Sequence, residues 1–167
     1  MLSILIPTYN YNCFDFVYTL NQQALTAKLE YEIIVADDCS TSPIQENKNI
    51  NSLPNCSYIE LNQNIGRSKI RNLLADKAQY NCLLFLDCDS EIVYENFIER
   101  YLNCCSDKKQ VICGGRLYKT KAPENKQLFL HWLYGSKREV ISVVKRQRNP
   151  NRSFMSNNFI INKALFN

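Results

Sequence analysis

Two aspartates, Asp87 and Asp89, follow an uninterrupted apolar run over Cys82–Leu86. Such a run predicts a strand that is buried on both faces, as in a parallel sheet. Because residues two apart in an extended chain point the same way, both carboxylates can face one site beyond the end of the strand. Paired carboxylates favour Mg²⁺ or Mn²⁺, which usually complete their shell with water and substrate phosphate. The pair therefore predicts a metal–diphosphate site, and a turn with solvated carboxylates is the alternative.

Polar residues also follow two other predicted strands. Pro7–Asn10 ends the first strand, and Asp37 and Asp38 end the second. Since parallel strands end at one edge of a sheet, these groups are expected to meet Asp87 and Asp89 where an α/β sheet binds a nucleotide. The sequence has neither a dinucleotide-binding glycine loop nor a P-loop, so the phosphates would depend on the metal. Asp37 is expected to brace its own turn through backbone N–H groups.

The elements that position these groups alternate between strand and helix. Apolar runs and helical spacings predict strands at 2–6, 32–36, 57–61, 82–86 and 110–113, with helices at 14–28, near 43, 64–78 and 93–105. This order predicts one α/β domain on a mainly parallel sheet with right-handed crossovers. Beyond Gly115 the candidates are a strand at 140–144, a loop entering a last strand at 154–161, and a helix from Lys163.

Composition is that of an ordinary globular protein. The 167 residues are 46% hydrophobic and 22% charged, and no apolar stretch approaches the roughly 18 residues that span a bilayer. The apolar start at Met1–Ile6 lacks a basic segment and meets Pro7 too early for a signal peptide, so secretion is not expected. The eight cysteines form no C-x-x-C pair and there is one histidine. This excludes a zinc site of the usual spacing and favours reduced thiols over disulfides.

The net charge of +4 has a local origin. Between Lys137 and Arg152 there are six basic residues and one acidic residue, Glu139. Phosphate contacts made there would bind nucleic acid with a strong salt dependence. The stretch, however, lacks interleaved aromatic residues, and a charge run is usually a solvated face. No nucleic-acid partner is therefore expected, and peripheral contact with an anionic membrane surface is left open.

Four segments together resemble successive motifs of the family 2 glycosyltransferases. They occur in the order and spacing of that family over about the first 115 residues: Ser3–Asn10, Ile34–Thr41, Asn64–Asn72 and Phe85–Asp89. The segment Phe154–Phe166 is more loosely similar to the acceptor side of the family. The resemblance implies a GT-A fold, a Rossmann-like β/α/β sandwich. It also implies metal-dependent transfer of a sugar, with inversion, from a nucleotide-diphosphate donor that we expect to be a UDP-sugar.

The resemblance further implies that particular residues bind the donor: Pro7, Thr8, Tyr9, Asp38, Arg71 and Asp87. The first three would line the base and ribose pocket. Asp38 would accept a hydrogen bond from a uracil-like base, which is reasonable because a carboxylate can accept from an imide N–H. Tyr9 as an ordinary packed aromatic residue is the alternative.

The same resemblance implies a metal site for Mn²⁺ or Mg²⁺. Asp87 would contact the ribose and the metal, and Asp89 would be the principal metal ligand. Arg71 would lie near the base or the diphosphate, unless it belongs to a solvated helix face. A divalent cation at this position would offset charge developing on the leaving diphosphate.

Inverting transfer also needs a general base for the acceptor hydroxyl. In the family this carboxylate follows the segment that resembles Ser156–Phe159, but residues 153–167 contain no acidic residue, and Asp107 and Glu124 do not fit the context. The base is therefore expected beyond Asn167, and the fragment is expected to be inactive or weakly active. Within a single domain over 1–167, residues 1–115 would be the nucleotide-sugar-binding half and 116–167 an incomplete acceptor-side half.

The family further implies an enzyme of polysaccharide biosynthesis. Its acceptor would be a carbohydrate or a lipid-linked molecule, and it would act in the cytoplasm, at the inner face of the membrane. A module that binds the donor without transferring the sugar is the main alternative function.

Overall fold

The computed structural model describes residues 1–42, 44–103, 111–150 and 154–166. The chain packs as two compact units, one formed by residues 1–112 with 156–167 and the other by residues 113–155. The assignment of 1–115 and 116–167 to donor and acceptor halves of one domain stays a prediction.

A six-stranded sheet organises the fold. Its strands are β1 (Leu2–Thr8), β2 (Tyr31–Asp37), β3 (Cys56–Glu60), β4 (Cys82–Leu86), β5 (Val111–Cys113) and β6 (Asn158–Asn162). Their order across the sheet is β3-β2-β1-β4-β6-β5. β1 pairs in parallel with β2 and β4, and β2 pairs in parallel with β3, whereas β6 runs antiparallel to β4. The predicted α/β architecture with a mainly parallel sheet is confirmed.

Short helices connect the strands. They are α1 (Phe14–Thr26), α2 (Gln45–Lys48), α3 (Arg67–Lys77), α4 (Phe97–Leu102), α5 (Phe129–Tyr134), α6 (Val143–Arg148) and α7 (Lys163–Phe166). Two 3₁₀ turns occupy Asn49–Ser52 and Lys126–Leu128, and a π-helical turn over Gly135–Glu139 continues α5. The helix end expected at 105, the strand start at 110 and Asp107 lie outside the described residues.

The strand expected at 140–144 is wrong. Ser142 is instead the N-cap of α6, where its side-chain oxygen accepts a hydrogen bond from the backbone N–H of Lys145 at 3.4 Å. The two valines that suggested a strand, Val143 and Val144, are the first residues of this helix, and both are exposed. The capping interaction favours a helix start, and no burial of the valines opposes it.

The core of the first unit lies on both faces of the sheet. Every residue of β4 from Leu83 to Leu86 is buried, and so is almost all of β1. α1 covers the sheet with Val17, Leu20 and Ala24, which recur at helical spacing. Each buried valine or leucine side chain contributes roughly 1.5–3 kcal/mol. This packing holds the strand ends in fixed positions.

The described cysteines are mostly thiols. The free ones are Cys13, Cys39, Cys56, Cys88 and Cys113. Cys82, at the start of β4, is disulfide-bonded, so the expectation of reduced thiols is wrong there, because sequence spacing does not reveal which cysteines the fold brings together. Within the described part of the chain, no helix has the length and apolar character needed to cross a membrane.

Candidate functional site

The carboxyl ends of β1, β2 and β4 meet at one edge of the sheet. Thr8 lies opposite Asp37 in the β1–β2 register, and β1 and β4 run side by side in the same direction. Because β6 is antiparallel, its first residue, Asn158, lies at this same edge, opposite Leu86. The edge therefore gathers the loops that begin near residues 8, 37 and 87 and the segment that enters β6.

The loops after β1 and β2 are tied together by Asn10. Its backbone N–H donates to the Ser40 hydroxyl at 2.7 Å, and its side-chain oxygen accepts from the backbone N–H of Thr41 at 2.9 Å. Asn10 and Cys39 have φ angles of 51° and 62°, a left-handed conformation that asparagine tolerates better than most residues. The two loops thus form one connected wall of the site.

A buried amide holds the next part of the first loop. The Asn47 side-chain oxygen accepts from the backbone N–H of Cys13 at 2.9 Å, and its amide nitrogen donates to the carbonyl of Tyr11 at 2.9 Å. The Thr8 hydroxyl donates to the same carbonyl at 3.2 Å. Tyr9, in contrast, is 46% exposed, so it is not a packed core aromatic and its ring is accessible to a ligand.

Asp37 is a structural residue, as predicted. One carboxylate oxygen accepts from the backbone N–H of Ser40 at 2.8 Å and from its hydroxyl at 2.7 Å. The other oxygen accepts from the Tyr58 hydroxyl at 2.7 Å. Burial, together with this hydrogen bond and the charge of Asp37, raises the pKa of Tyr58. The carboxylate therefore braces the turn after β2, and its oxygens are directed to the protein.

Asp38 binds the segment that precedes α3. Its Oδ1 atom accepts from the backbone N–H of Ile65 at 2.7 Å and its Oδ2 atom from that of Gly66 at 2.9 Å, while its carbonyl accepts from the Asn64 side chain at 3.0 Å. The residue is only 6% exposed. Gly66 has a φ of 83°, which favours glycine. Any base bound here would thus meet a carboxylate that already holds a backbone loop.

Arg71 and Asp87 form an ion pair. The Arg71 Nη2 atom donates to Asp87 Oδ1 at 2.6 Å, and their side chains are 16% and 34% exposed. Arg71 therefore does not lie on a solvated helix face. Its Nε atom is buried and has no partner among the described residues, whereas buried donors are normally satisfied.

The electrostatics at Asp87 are those of a crowded anionic site. Burial raises the pKa of its carboxyl, Arg71 lowers this pKa, and the nearby charge of Asp89 raises it again. Asp89 itself is exposed. Cys88 and Asp89 form a turn and do not continue β4. The extended backbone that was expected to point both aspartate side chains the same way therefore stops at Asp87. The two carboxylates still interact, because the charge of Asp89 raises the pKa of Asp87.

These two carboxylates fit a divalent cation that shares its ligands with substrate. Asp87 and Asp89 offer hard oxygen donors, and only one cationic side chain, Arg71, is paired with them in the described residues. No group of three or more His, Cys, Asp or Glu side chains in the described part of the chain could hold a metal alone. Mg²⁺ and Mn²⁺ commonly need only one or two protein carboxylates when a diphosphate and water supply the remaining ligands.

Sequence reasoning missed the contribution of the β6 segment. The backbone N–H of Asp87 donates to the carbonyl of Asn157 at 2.9 Å, and the Tyr101 hydroxyl donates to the side-chain oxygen of Asn158. The polar residues before β6 suggested a functional segment, but the sequence did not show that β6 is antiparallel. Only the antiparallel pairing places these residues at the carboxyl edge of the parallel strands. These contacts fix the backbone from which Asp87 projects.

Comparisons with known proteins found similar sequences and a similar fold. The family described as "Glycosyl transferase family 2" matches residues 3–166. A curated protein, chondroitin synthase of Escherichia coli, is 37% identical over 93 residues, which are 53% of this chain and 13% of that protein. The chain therefore spans only a small part of that relative.

Solved structures of S. aureus TarS share the fold. TarS 1–349 is 21% identical to this chain with a TM-score of 0.64, over 99% of this chain and 48% of that one. TarS 1–349 in complex with UDP-GlcNAc is 26% identical with a TM-score of 0.55, over 75% of this chain and 36% of that one. The complex with UDP is 25% identical with a TM-score of 0.54, over 75% and 37%.

Proposed function

This chain belongs to glycosyl transferase family 2 and has the GT-A fold, and on that basis we propose that it transfers a sugar from a UDP-sugar to an acceptor hydroxyl. The main support is the convergence of three polar strand ends at one sheet edge, where Arg71 and Asp87 are paired. The relatives crystallised with UDP-GlcNAc and UDP support a uridine nucleotide donor. The acceptor in this proposal is a carbohydrate or a lipid-linked molecule of polysaccharide synthesis.

The donor base and ribose would lie against the first loop. Pro7, Thr8 and Tyr9 lead from buried strand to exposed loop, and the exposed Tyr9 ring can stack on a base. Asp38 lies beside this wall, where it orders residues 64–66 and so shapes the pocket from below. The proposal thus gives the four residues one common task, which is to bind the nucleoside.

The diphosphate would lie near Arg71, Asp87 and Asp89. Arg71 holds the Asp87 carboxylate in place through its Nη2 atom. Asp87 and Asp89 would hold Mn²⁺ or Mg²⁺, which when bound supplies positive charge that stabilises the leaving diphosphate. Asp89 is exposed and Asp87 is partly exposed at the strand end, so a substrate can reach both carboxylates.

Transfer would proceed with inversion, because an acceptor oxygen attacks the anomeric carbon on the face opposite the departing UDP. This step requires a base to take the acceptor proton. Glu139 is bound by Arg116 and Tyr118, and these contacts lower the pKa of its carboxyl despite partial burial. Glu124 pairs with Lys121 at 3.4 Å in a fully solvated position. Neither carboxylate is therefore proposed as the base.

The test is release of UDP from a panel of UDP-sugars with Mn²⁺ and acceptor saccharides, followed for the wild-type chain and for Asp87→Asn. Because no general base is assigned within the chain, we expect only slow donor turnover in the presence of an acceptor. This turnover should fall on the order of 100-fold in the variant, because an interaction with the leaving group is lost. UDP binding without turnover by any acceptor would favour a donor-binding module. Absence of both binding and turnover would overturn the proposal. We propose that the protein acts in the cytoplasm, at the inner face of the membrane.

A further inference from the structure

The second unit combines strong positive charge with exposed apolar side chains. Residues 113–150 contain nine basic and two acidic side chains, whereas acidic residues outnumber basic ones in the rest of the chain. Seven large apolar side chains in the described part of this unit are more than half exposed: Leu117 (57%), Leu128 (54%), Leu130 (75%), Tyr134 (63%), Val143 (56%), Val144 (63%) and Phe154 (58%). Large apolar side chains that cluster on a surface usually mark an interaction site.

Helical spacing brings the apolar and basic groups together. α5 and the π-helical turn after it form one helical segment, in which Leu130 and Tyr134 are four residues apart and lie on the same face. Lys137 and Arg138 follow in the next turn, and both are exposed. The inner side of α5 is anchored within the unit, because the Trp132 indole N–H donates to the carbonyl of Lys119 at 2.7 Å.

α6 also combines exposed apolar side chains with exposed basic side chains. Its first turn exposes Val143 and Val144, and its last turn exposes Lys145 and Arg148. The acidic side chains do not cancel this charge at the surface. Glu139 is directed to Arg116 and Tyr118, and the exposed pair of Glu124 and Lys121 is strongly screened by water.

We propose that this apolar–basic surface binds the surface of an anionic lipid bilayer. Its side chains are Leu130, Tyr134, Lys137 and Arg138 on α5 and the π-helical turn, and Val143, Val144, Lys145 and Arg148 on α6. Apolar side chains that enter the headgroup–acyl boundary, with lysine and arginine beside them, are the pattern of helices that lie in a membrane interface. A soluble polyanion would use the charges alone and would gain nothing from exposed leucine and valine. The proposal is independent of the sugar-transfer proposal.

Co-sedimentation with vesicles tests the proposal. We expect the chain to co-sediment with vesicles of phosphatidylcholine and phosphatidylglycerol but not with vesicles of phosphatidylcholine alone. Added salt should weaken this binding. The double variant Lys145→Gln with Arg148→Gln should bind about 25-fold more weakly, since each charge near an anionic surface contributes about fivefold.

A second variant separates lipid from other anionic partners. Leu130→Ser with Tyr134→Ser should weaken vesicle binding at least about tenfold and leave binding of heparin, a soluble polyanion, unchanged. Leu25→Ser and Lys77→Glu alter exposed residues of the first unit and should have no effect. UDP affinity, which reports on the fold and on the donor site, should equal that of the wild type in the two double variants and in the two controls.

Two results would overturn the proposal. One is the absence of any difference between the two vesicle compositions for the wild-type chain. The other is heparin binding as strong as vesicle binding, together with vesicle binding that survives loss of Leu130 and Tyr134. The second result would assign the surface to a soluble polyanion.

Discussion

Substitution of Asp38 by asparagine isolates what this carboxylate does. The two side chains have the same shape, but asparagine has one acceptor oxygen and an amide that donates. In the protein, both oxygens of Asp38 accept from backbone N–H groups, those of Ile65 and Gly66. Asp38→Asn therefore keeps one of the two hydrogen bonds, and its amide NH₂ group faces the other backbone N–H, which it cannot accept.

The expected loss of stability follows from these contacts. A hydrogen bond to a charged group contributes about 1.5–3 kcal/mol, and Asp38 is almost completely buried, so solvent compensates little. Urea unfolding of Asp38→Asn should show a free energy of unfolding lower by about this amount. Asp76→Asn, an exposed aspartate on α3, is the matched control and should change the stability by less than about 0.5 kcal/mol.

Nucleotide binding then distinguishes two roles for the carboxylate. If Asp38 acts by ordering residues 64–66, the variant should weaken UDP and CDP binding by the same factor. If it accepts directly from the imide N–H of uracil, the variant should lose the preference for UDP over CDP. The hydrogen bonds of the structure favour the first outcome. Unchanged stability with a lost UDP preference would refute this reasoning.

Three further measurements test neighbouring contacts. Arg71→Ala removes the cation beside Asp87, so metal-dependent UDP affinity in calorimetry should fall, and an unchanged affinity would contradict the role of the pair. Because burial raises the pKa of Asp87 above its unfolded value, stability is lost as pH rises through that pKa. Thermal melts of Arg71→Ala should therefore fall further below wild type as pH increases, and a constant gap would argue against this linkage. Tyr58→Phe deletes the bond to buried Asp37 and should cost roughly 1–3 kcal/mol in urea unfolding, whereas Tyr18→Phe on the exposed side of α1 should cost almost nothing.

Much of the sheet could be predicted because its signals are local. The apolar run of β4 and the aspartates after it reveal both a buried strand and its polar end. The bracing role of Asp37 was also predictable, since aspartate commonly accepts from backbone N–H groups a few residues further along. Parallel pairing then places the ends of β1, β2 and β4 at one edge, as the structure confirms.

Other features of the site depend on contacts between distant parts of the chain. Asp38 accepts hydrogen bonds from backbone N–H groups 27 and 28 residues later. Because almost every residue has a backbone N–H, the sequence does not identify these donors. The ion pair of Arg71 and Asp87 joins α3 to the residue after β4, 16 residues later in the chain. The helix α6 replaced an expected strand because a single serine cap outweighed two β-branched residues that have nothing to pack against. The spacing of apolar residues along the sequence predicts none of these three features.

The central claim is that Asp87 and Asp89 form a metal-dependent site for a uridine diphosphate. Calorimetric titration of UDP into the wild-type chain and into Asp89→Ala, each with Mn²⁺ and with a chelator, tests it most directly. Asp89 is exposed, so its loss should leave the fold intact, with a change in unfolding free energy below about 0.5 kcal/mol. The claim predicts that Mn²⁺ strengthens UDP binding to the wild type and has no effect on the variant. Equal strengthening by Mn²⁺ in both proteins would contradict it.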